Sequence, residues 1–261
     1  MAVIGILQAR TNSTRLPGKV LMNILGEPMI LQQLRRLKEC VLLDDIIVAT
    51  SSEKSDDDLA MACAAAGYRV FRGSLDDVLD RFVKAVKNDS YDHVVRLTAD
   101  CPLTDPNVID HIIERHLQLD CDYTSNTLKP TYPDGLDAEI FKMSALLNAW
   151  ENAILPSHRE HVTPYIYAHP EIFSLNNYEN DRDLSAMRWT VDEVEDFEFA
   201  TEVYRNLYPS KANFAMDDVL KLLADRPDIA AKNAFISRNE GSKKSLLQDK
   251  VFLANNEGRL K

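Results

Sequence analysis

Short apolar runs alternate with amphipathic stretches along roughly the first 120 residues of the chain. The apolar runs lack helical spacing and therefore predict buried strands at 3–7, 44–51 and 68–73, with a fourth strand running into a loop over 92–106. Apolar residues at helical spacing predict helices at 28–40, 55–66 and 74–88, the last capped by Ser74, and a further helix that ends at Leu119. This alternation predicts an α/β fold with a doubly wound, mainly parallel sheet and helices on both faces.

The middle of the chain has a different pattern, which predicts an excursion from the sheet over about 130–178. The segment 131–141 is predicted to end in a short strand, and a second strand is predicted within 171–178. Helices are predicted between them at 143–152 and at 157–170, the latter interrupted by Pro164. The segment 186–207 then predicts a strand, an acidic turn and a long helix. We expect one domain over 1–230 and a lysine-rich and arginine-rich C-terminal tail, 231–261, whose role the pattern does not indicate.

Composition narrows the function classes. The 261 residues are 45% hydrophobic, enough for one sizeable domain, and the net charge of −11 argues against a nucleic-acid partner. The four cysteines are well separated without a CxxC spacing, which is typical of free thiols in a reducing cytosol. The apolar stretch at the N-terminus is too short for a signal peptide or a membrane span, so we expect a cytoplasmic protein without a membrane partner.

The first predicted strand runs into a charged loop, "ILQARTNSTRLPGKVL" at 6–21, which contains Arg10, Arg15 and Lys19. Backbone N–H groups in a tight turn bind anions, and these three side chains add positive charge. A loop after the first strand of a parallel sheet lies at the edge where ligands bind. We therefore expect a phosphate site, although a solvated surface loop remains the alternative. The sequence has neither a GxxxxGK[ST] nor a GxGxxG motif.

Two acids follow predicted strands at the same sheet edge. Asp100 ends the strand within 92–106, and Asp192 follows the strand "AMRWTV". Mg²⁺ prefers a few carboxylates together with water and substrate phosphates, so Asp100 and Asp192 are candidate Mg²⁺ ligands. Helix N-capping is the alternative, particularly for Asp192.

Further candidate residues lie in the predicted excursion. Asp137 and Glu139 stand at strand spacing in "PDGLDAEIF", where paired acids can accept hydrogen bonds from sugar hydroxyls; a plain hairpin turn is equally compatible. Arg159 can meet a substrate carboxylate, or lie exposed near a helix start. The nearby His158 and His161 are three residues apart without a matching third ligand, which argues against zinc.

The motifs together resemble a known family. "QARTNSTRLPGKVL" is similar to the ARxxSxRLPxK signature of the cytidylyltransferases that activate 3-deoxy-ulosonic and nonulosonic acids. "LTADCPLTDP", "PDGLDAEIF", "EHVTPY" and "WTVDEVEDFE" follow in the order found in the spore-coat polysaccharide biosynthesis branch of that family. The resemblance covers roughly 2–207.

The resemblance implies a Rossmann-like (GT-A-like) nucleotidyltransferase domain that transfers CMP from CTP to an acidic sugar, with Mg²⁺ as cofactor and pyrophosphate released. It implies roles for the candidate residues, which are Arg10, Arg15 and Lys19 on the triphosphate, Ala9, Ser13 and Thr98 in the nucleotide pocket, Asp100 and Asp192 on the metal, and Asp137, Glu139 and Arg159 on the sugar. Arg10, Arg15, Lys19 and Asp100 would form the catalytic set. Phosphoryl and nucleotidyl transfer depend mainly on positioning and charge neutralisation, which agrees with these roles.

Two other functions remain open at this stage. A glycosyltransferase of the same fold usually carries a DxD motif, whereas Asp100 is followed by "CPL". A non-catalytic nucleotide-binding subunit would keep the fold without turnover. In relatives the 130–178 region makes a dimer contact, so we expect a homodimer; the apolar Tyr165, Ile166, Tyr167 and Phe173 would lie there, unless they pack in the protein's own core.

Overall fold

A computed structural model describes residues 1–236 and 249–255. Its main sheet has seven strands in the order β5-β4-β1-β6-β8-β7-β9, and β2 and β3 form a separate two-stranded ribbon. The strands are β1 (Val3–Gln8), β2 (Asn23–Ile24), β3 (Glu27–Pro28), β4 (Asp45–Ser51), β5 (Arg69–Gly73), β6 (His93–Thr98), β7 (Tyr123–Ser125), β8 (Glu139–Lys142) and β9 (Leu175–Asn177). The central pairs β1–β4, β1–β6 and β4–β5 are parallel, which confirms the mainly parallel α/β sheet.

Helices cover both faces of this sheet. They are α1 (Met29–Leu37), α2 (Asp57–Ala65), α3 (Val78–Val86), α4 (Pro106–Leu119), α5 (Met143–Asn152), α6 (Pro156–His161), α7 (Pro164–Ala168), α8 (Val194–Leu207), α9 (Met216–Asp225), α10 (Pro227–Ala230) and α11 over 249–255. One core contains apolar residues of α1, α2, α4, α8 and α9, and the other contains those of α3, α5 and α7. Alternate residues of β1 reach the two cores, Leu7 the first and Ile6 the second, as expected for a strand buried on both faces.

The segment predicted to leave the sheet contributes two strands to it. β8 lies between β6 and β7 and is antiparallel to both, while β9 pairs with β7 in parallel. The physical reason is visible in β8, where Ile140 packs in one core and Phe141 in the other. A strand with apolar residues on both faces belongs in a sheet interior. The helices of this segment do not leave the sheet either, since apolar residues of α5 and α7 pack in the second core together with strand residues such as Phe141. Ile166 and Phe173 are buried in the second core, so these two do not form an exposed apolar surface.

Two local expectations were also wrong. Residues 186–191 form no strand; a single parallel bridge joins Arg188 to Asp134. The N-cap of α3 is Asp77, which accepts a hydrogen bond from Asp80 N, whereas the Ser74 hydroxyl accepts one from Asp77 N. Of the predicted tail 231–261, the residues 237–248 and 256–261 lie outside the described residues. In the described part of the chain, no helix is long and apolar enough to cross a bilayer.

Candidate active site

The charged loop after β1 is folded tightly upon itself. The backbone N–H groups of Ser13 and Gly18 both donate to Thr11 O at 2.9 Å, and Gly18 has a φ of 72°, a conformation that favours glycine. The loop is anchored by the buried Asp56, whose Oδ1 accepts from Thr11 N at 2.8 Å and from Thr11 Oγ1 at 2.7 Å. Bonds from Ser51 and Thr11 outweigh burial and lower the pKa of Asp56, so this anchor is a carboxylate at neutral pH.

The side chain of Lys19 extends from this loop, and three oxygen atoms surround its ammonium group. Its Nζ lies 2.7 Å from Val191 O, 2.8 Å from Asp192 Oδ1 and 3.2 Å from Asp100 Oδ2. Burial alone would lower the pKa of Lys19, but the two carboxylates outweigh burial and raise it. Burial alone would raise the pKa of Asp100, but the charge of Lys19 and hydrogen bonds from Thr98 and Lys19 lower it to about 2. Lys19 and Asp100 are therefore both charged at neutral pH.

The backbone brings the two acids together. Val191 N donates to Asp100 O at 2.7 Å, which ties the chain before Asp192 to the loop after β6. Trp189 N and Thr190 N both donate to Asp134 O, at 2.6 and 2.8 Å. The "PDG" turn of the sequence thus supports the 189–192 segment rather than closing a simple hairpin.

Asp192 is surrounded by cations. Arg188 Nη2 lies 3.1 Å from Asp192 Oδ2, and Arg15 Nη2 lies 2.9 Å from the same oxygen. Arg188 is itself held at 2.9 Å by both oxygens of the fully buried Asp196, and this carboxylate also accepts from the N–H groups of Asp192 and Glu193. Asp196 therefore caps α8 as well as fixing Arg188, while Asp192 remains at the mouth of the site.

These groups border a cavity of about 310 Å³, the front cavity. It lies between the loops that follow the adjacent strands β1 and β6, as expected for an α/β sheet. The predicted residues that line it are Ala9, Arg10, Ser13, Arg15, Lys19, Thr98, Asp100 and Asp192. Sequence reasoning did not assign a role there to Gln8, Asn12, Thr14, Glu160 or His161, although the last two lie in the "EHVTPY" motif.

A second cavity of about 240 Å³, the side cavity, adjoins the first, because Thr98 and His161 line both. Asp137 and Glu139 lie in its wall together with Arg96. Glu139 is already engaged: one oxygen accepts from Tyr123 Oη and Thr163 Oγ1 at 2.6 Å, and the other pairs with Arg96.

A family model described as cytidylyltransferase matches residues 4–236. The chain belongs to the cytidylyltransferase family. It is 41% identical over 239 residues to an uncharacterized protein of Methanocaldococcus jannaschii, covering 90% of this chain and 95% of the relative. It is 32% identical over 237 residues to the spore coat polysaccharide biosynthesis protein SpsF of Bacillus subtilis, covering 88% and 97%. A solved structure of a cytidylyltransferase from Leptospira borgpetersenii superposes with a TM-score of 0.84 at 33% identity, covering 88% and 97%.

These comparisons confirm the family, the Rossmann-like nucleotidyltransferase fold and the enzyme class. A cytidylyltransferase needs room for a nucleotide triphosphate and for an acceptor, and the front and side cavities adjoin through Thr98 and His161. Burial is the largest cause that lowers the pKa of His161, whose imidazole lies in the walls of both cavities.

The donor set fits Mg²⁺. The carboxylates of Asp100 and Asp192 converge on one position, now taken by the Lys19 ammonium. Within residues 1–236 and 249–255, no group of three or more His, Cys, Asp or Glu side chains could hold a metal. Two carboxylates suit Mg²⁺, which completes its shell with water and phosphate oxygens.

Arg159 does not join the cluster. It lines neither cavity, and its guanidinium pairs with Asp77 at 2.6 Å and donates to Trp150 O at 2.8 Å. These contacts attach α6 to the start of α3. The neighbouring residues Glu160 and His161 face the front cavity instead, because successive helix positions point in different directions.

Proposed function

We propose that this cytidylyltransferase transfers CMP from CTP to an acidic sugar of the ulosonic or nonulosonic type, releases pyrophosphate and requires Mg²⁺. We place the reaction in surface polysaccharide or glycan biosynthesis. The observation that carries the proposal is the convergence of Lys19, Asp100 and Asp192 at 2.8–3.2 Å beneath a cationic loop, beside a second cavity that has room for an acceptor.

In this reaction a sugar hydroxyl oxygen forms a bond to the α-phosphorus of CTP, and the bond between that phosphorus and the bridging oxygen to the β-phosphate breaks. Asp100 and Asp192 would hold Mg²⁺, which when bound supplies charge neutralisation at the phosphates and acidifies a coordinated hydroxyl. Arg15 and Lys19 stabilise the negative charge that develops on the departing pyrophosphate. The loop N–H groups and Ala9, Ser13 and Thr98 position the nucleotide, and Arg10 adds a cation at the front cavity.

The acceptor site follows from the side cavity. Asp137 accepts hydrogen bonds from sugar hydroxyls, and His161 orients a hydroxyl at the junction of the two cavities. Arg96, which Glu139 holds in place, is the cation in the wall, and Arg10 lies across the junction in the front cavity, so both add positive charge that attracts the carboxylate of the acid. Glu139 acts mainly by fixing Arg96 and Tyr123.

We also propose a cytoplasmic homodimer. Around α5 and α7 the apolar side chains that remain exposed are Leu147, Trp150, Ile154, Tyr167 and Ile172. Large exposed apolar side chains often lie in interfaces, so these residues support a dimer contact through the 130–178 region.

The test is a pyrophosphate-release assay with CTP, Mg²⁺ and a panel of acceptors. The panel includes several ulosonic and nonulosonic acids and, as matched controls, their reduced neutral analogues; UTP and ATP replace CTP in parallel reactions. We expect release with CTP and an acid only, and none after chelation of the metal. Equal release with neutral acceptors would refute the acidic-sugar assignment, and release that persists in EDTA would refute the Mg²⁺ requirement.

A further inference from the structure

One side chain of α1 contacts both ends of the loop that presents Asp100. This loop, residues 98–104, begins at the last residue of β6, and we call it the Asp100 loop. Gln33 Nε2 donates to Thr98 O at 2.9 Å and to Thr104 Oγ1 at 3.3 Å. Gln33 lines neither the front nor the side cavity, so its amide acts on the loop and not on a ligand.

Gln33 is a polar residue in apolar surroundings. It is fully buried on α1, whose residues Ile30, Leu34 and Leu37 pack in the first core. Among the described residues, its Oε1 has no hydrogen-bond partner. A buried polar atom without a partner destabilises a fold, so packing alone favours an apolar side chain of similar length here. The contribution of the amide is its contact with both ends of the Asp100 loop.

The two contacts of Gln33 bracket Asp100. Thr98, whose carbonyl oxygen accepts from Gln33, lines both cavities and hydrogen-bonds the Asp100 carboxylate through its side chain. The carbonyl oxygen of Asp100 accepts from Val191 N at 2.7 Å, which ties the Asp100 loop to the segment before Asp192. A shift of Thr98 would therefore move the Asp100 carboxylate relative to Asp192.

We propose that Gln33 is a positioning residue for Asp100. Its amide fixes the Asp100 loop, and the loop in turn fixes the carboxylate beside Lys19. The proposal rests on the function proposed above, in which Asp100 holds Mg²⁺. A displacement of about 1 Å at a reaction centre can lower the rate by about 100-fold, so a contact outside both cavities can control turnover.

The preceding residue on α1 is a matched control. Gln32 is also buried, and its Nε2 donates at 2.9 Å to Ile24 O, outside the Asp100 loop. Gln32→Met and Gln33→Met each remove from α1 a buried amide that donates to a backbone carbonyl at 2.9 Å, and each keeps the length of the side chain. The two variants differ in that Gln33→Met releases the Asp100 loop.

The test combines hydrogen exchange of the Val191 amide, followed by NMR on the full chain, with pyrophosphate release from CTP. In Gln33→Met we expect the Val191 amide to exchange at least about tenfold faster than in the wild type. We expect kcat to fall at least about tenfold while KM for CTP stays within about threefold, because the loop is displaced and the nucleotide contacts remain. Gln32→Met should stay within about threefold of the wild type in all three quantities.

The two measurements separate this proposal from the function on which it rests. Hydrogen exchange needs no substrate, so unchanged Val191 exchange in Gln33→Met would overturn the positioning role whether or not the wild type turns over. Equal losses of kcat in Gln32→Met and Gln33→Met would also overturn it, because the loss would then follow from removal of any buried amide on α1. An inactive wild type would instead refute the proposed function.

A second variant keeps the test decisive if Gln33→Met does not fold. Thr104→Val preserves the shape of this buried side chain and removes the Oγ1 atom that lies 3.3 Å from Gln33 Nε2. We expect Val191 exchange to rise and kcat to fall by at least about threefold, since one hydrogen bond to the loop is lost. Wild-type exchange and wild-type kcat in Thr104→Val would overturn the proposal.

Discussion

The ammonium of Lys19 lies 2.8 Å from Oδ1 of Asp192, across 173 positions of the sequence. This ion pair joins the loop that was expected to bind phosphate to the acid that was expected to bind metal. The cation thus neutralises the acids of the site before any substrate is present. Asp100 and Asp192 would hold the proposed Mg²⁺, and the charge of Lys19 would then be available to phosphate.

Replacing Lys19 with Met should reduce kcat/KM for CTP by about 100-fold, because removal of one preorganised cation costs roughly that much in comparable sites. Lys129→Met is the control, since Lys129 forms an exposed ion pair with Glu179 and lines neither cavity. Steady-state kinetics with varied CTP measures the effect. Unchanged CTP kinetics in Lys19→Met would show that the loop does not contact the triphosphate.

Gly135→Ala should disrupt the site through the backbone. Gly135 has a φ of 113°, and an added Cβ would lie 2.5 Å from Thr190 N, so the segment that leads to Asp192 must shift. Gly67→Ala is a matched control, because Gly67 also has a positive φ, of 83°, but no atom within 4 Å of an added Cβ. We expect Gly67→Ala to lower the free energy of unfolding by about 1–2 kcal/mol and to keep activity. Gly135→Ala should lose more stability and most activity; equal behaviour of the two variants would contradict this.

Stability should fall as the pH falls from about 6.5 to 4, owing in part to His116. This fully buried imidazole contacts His93 Nδ1 at 3.1 Å and Thr124 Oγ1 at 3.0 Å. Burial, followed by the charge of His93, lowers its pKa to about 4. Because the unfolded chain takes up the proton first, the contribution is complete above the unfolded pKa of 6.5 and is lost as the pH approaches the folded value.

Urea unfolding between pH 8 and pH 4 measures this loss, whose upper limit for one such group is about 3 kcal/mol. The free energy of unfolding should change less steeply with pH in His116→Gln than in the wild type, and as steeply as in the wild type in the exposed His111→Gln. An identical slope in the wild type and His116→Gln would exclude His116 as a cause.

Asp249 should stabilise the helix that carries Glu160 and His161. Its Oδ1 accepts from Ser157 N at 2.9 Å, and α6 has no side-chain cap of its own at Leu155. Asp249→Ala should therefore cost about 1 kcal/mol of unfolding free energy, whereas Asp249→Asn, which keeps an acceptor oxygen, should cost less. The exposed neighbour Lys250→Ala is the control. Thermal denaturation that does not separate Asp249→Ala from Lys250→Ala would contradict the capping role.

The residues that could be predicted from sequence share one property: their position follows from a local pattern. Leu7 and Asp100 end apolar runs, and in a parallel sheet such ends meet at one edge. The loop cations and Asp100 were therefore expected together, and the structure places them around one cavity. Asp192 was expected there from a strand at 186–191 that does not form; it reaches the cavity because Val191 N donates to Asp100 O.

The features of the site that could not be predicted depend on contacts between residues that are distant in the sequence. The insertion of β8 between β6 and β7 brings Glu139 opposite Arg96, and this register has no local signal. For the same reason, neither the hydrogen bond from Tyr123 to Glu139 nor the ion pair between Arg159 and Asp77 was predicted. A charge pattern shows that an arginine or glutamate is present but does not show which partner it meets.

The measurement that most directly tests the proposed activity is pyrophosphate release by Asp100→Asn at saturating CTP, Mg²⁺ and sugar acid. Asp228→Asn is the control, because Asp228 is exposed and pairs only with Arg226 in the described salt bridges. Asn preserves the shape of the side chain but removes the charge that faces Lys19. We predict that Asp100→Asn, folded as judged by circular dichroism, turns over at least about 100-fold more slowly than wild type while Asp228→Asn is unaffected. Wild-type turnover in Asp100→Asn would contradict the placement of the metal and of the reaction in the front cavity.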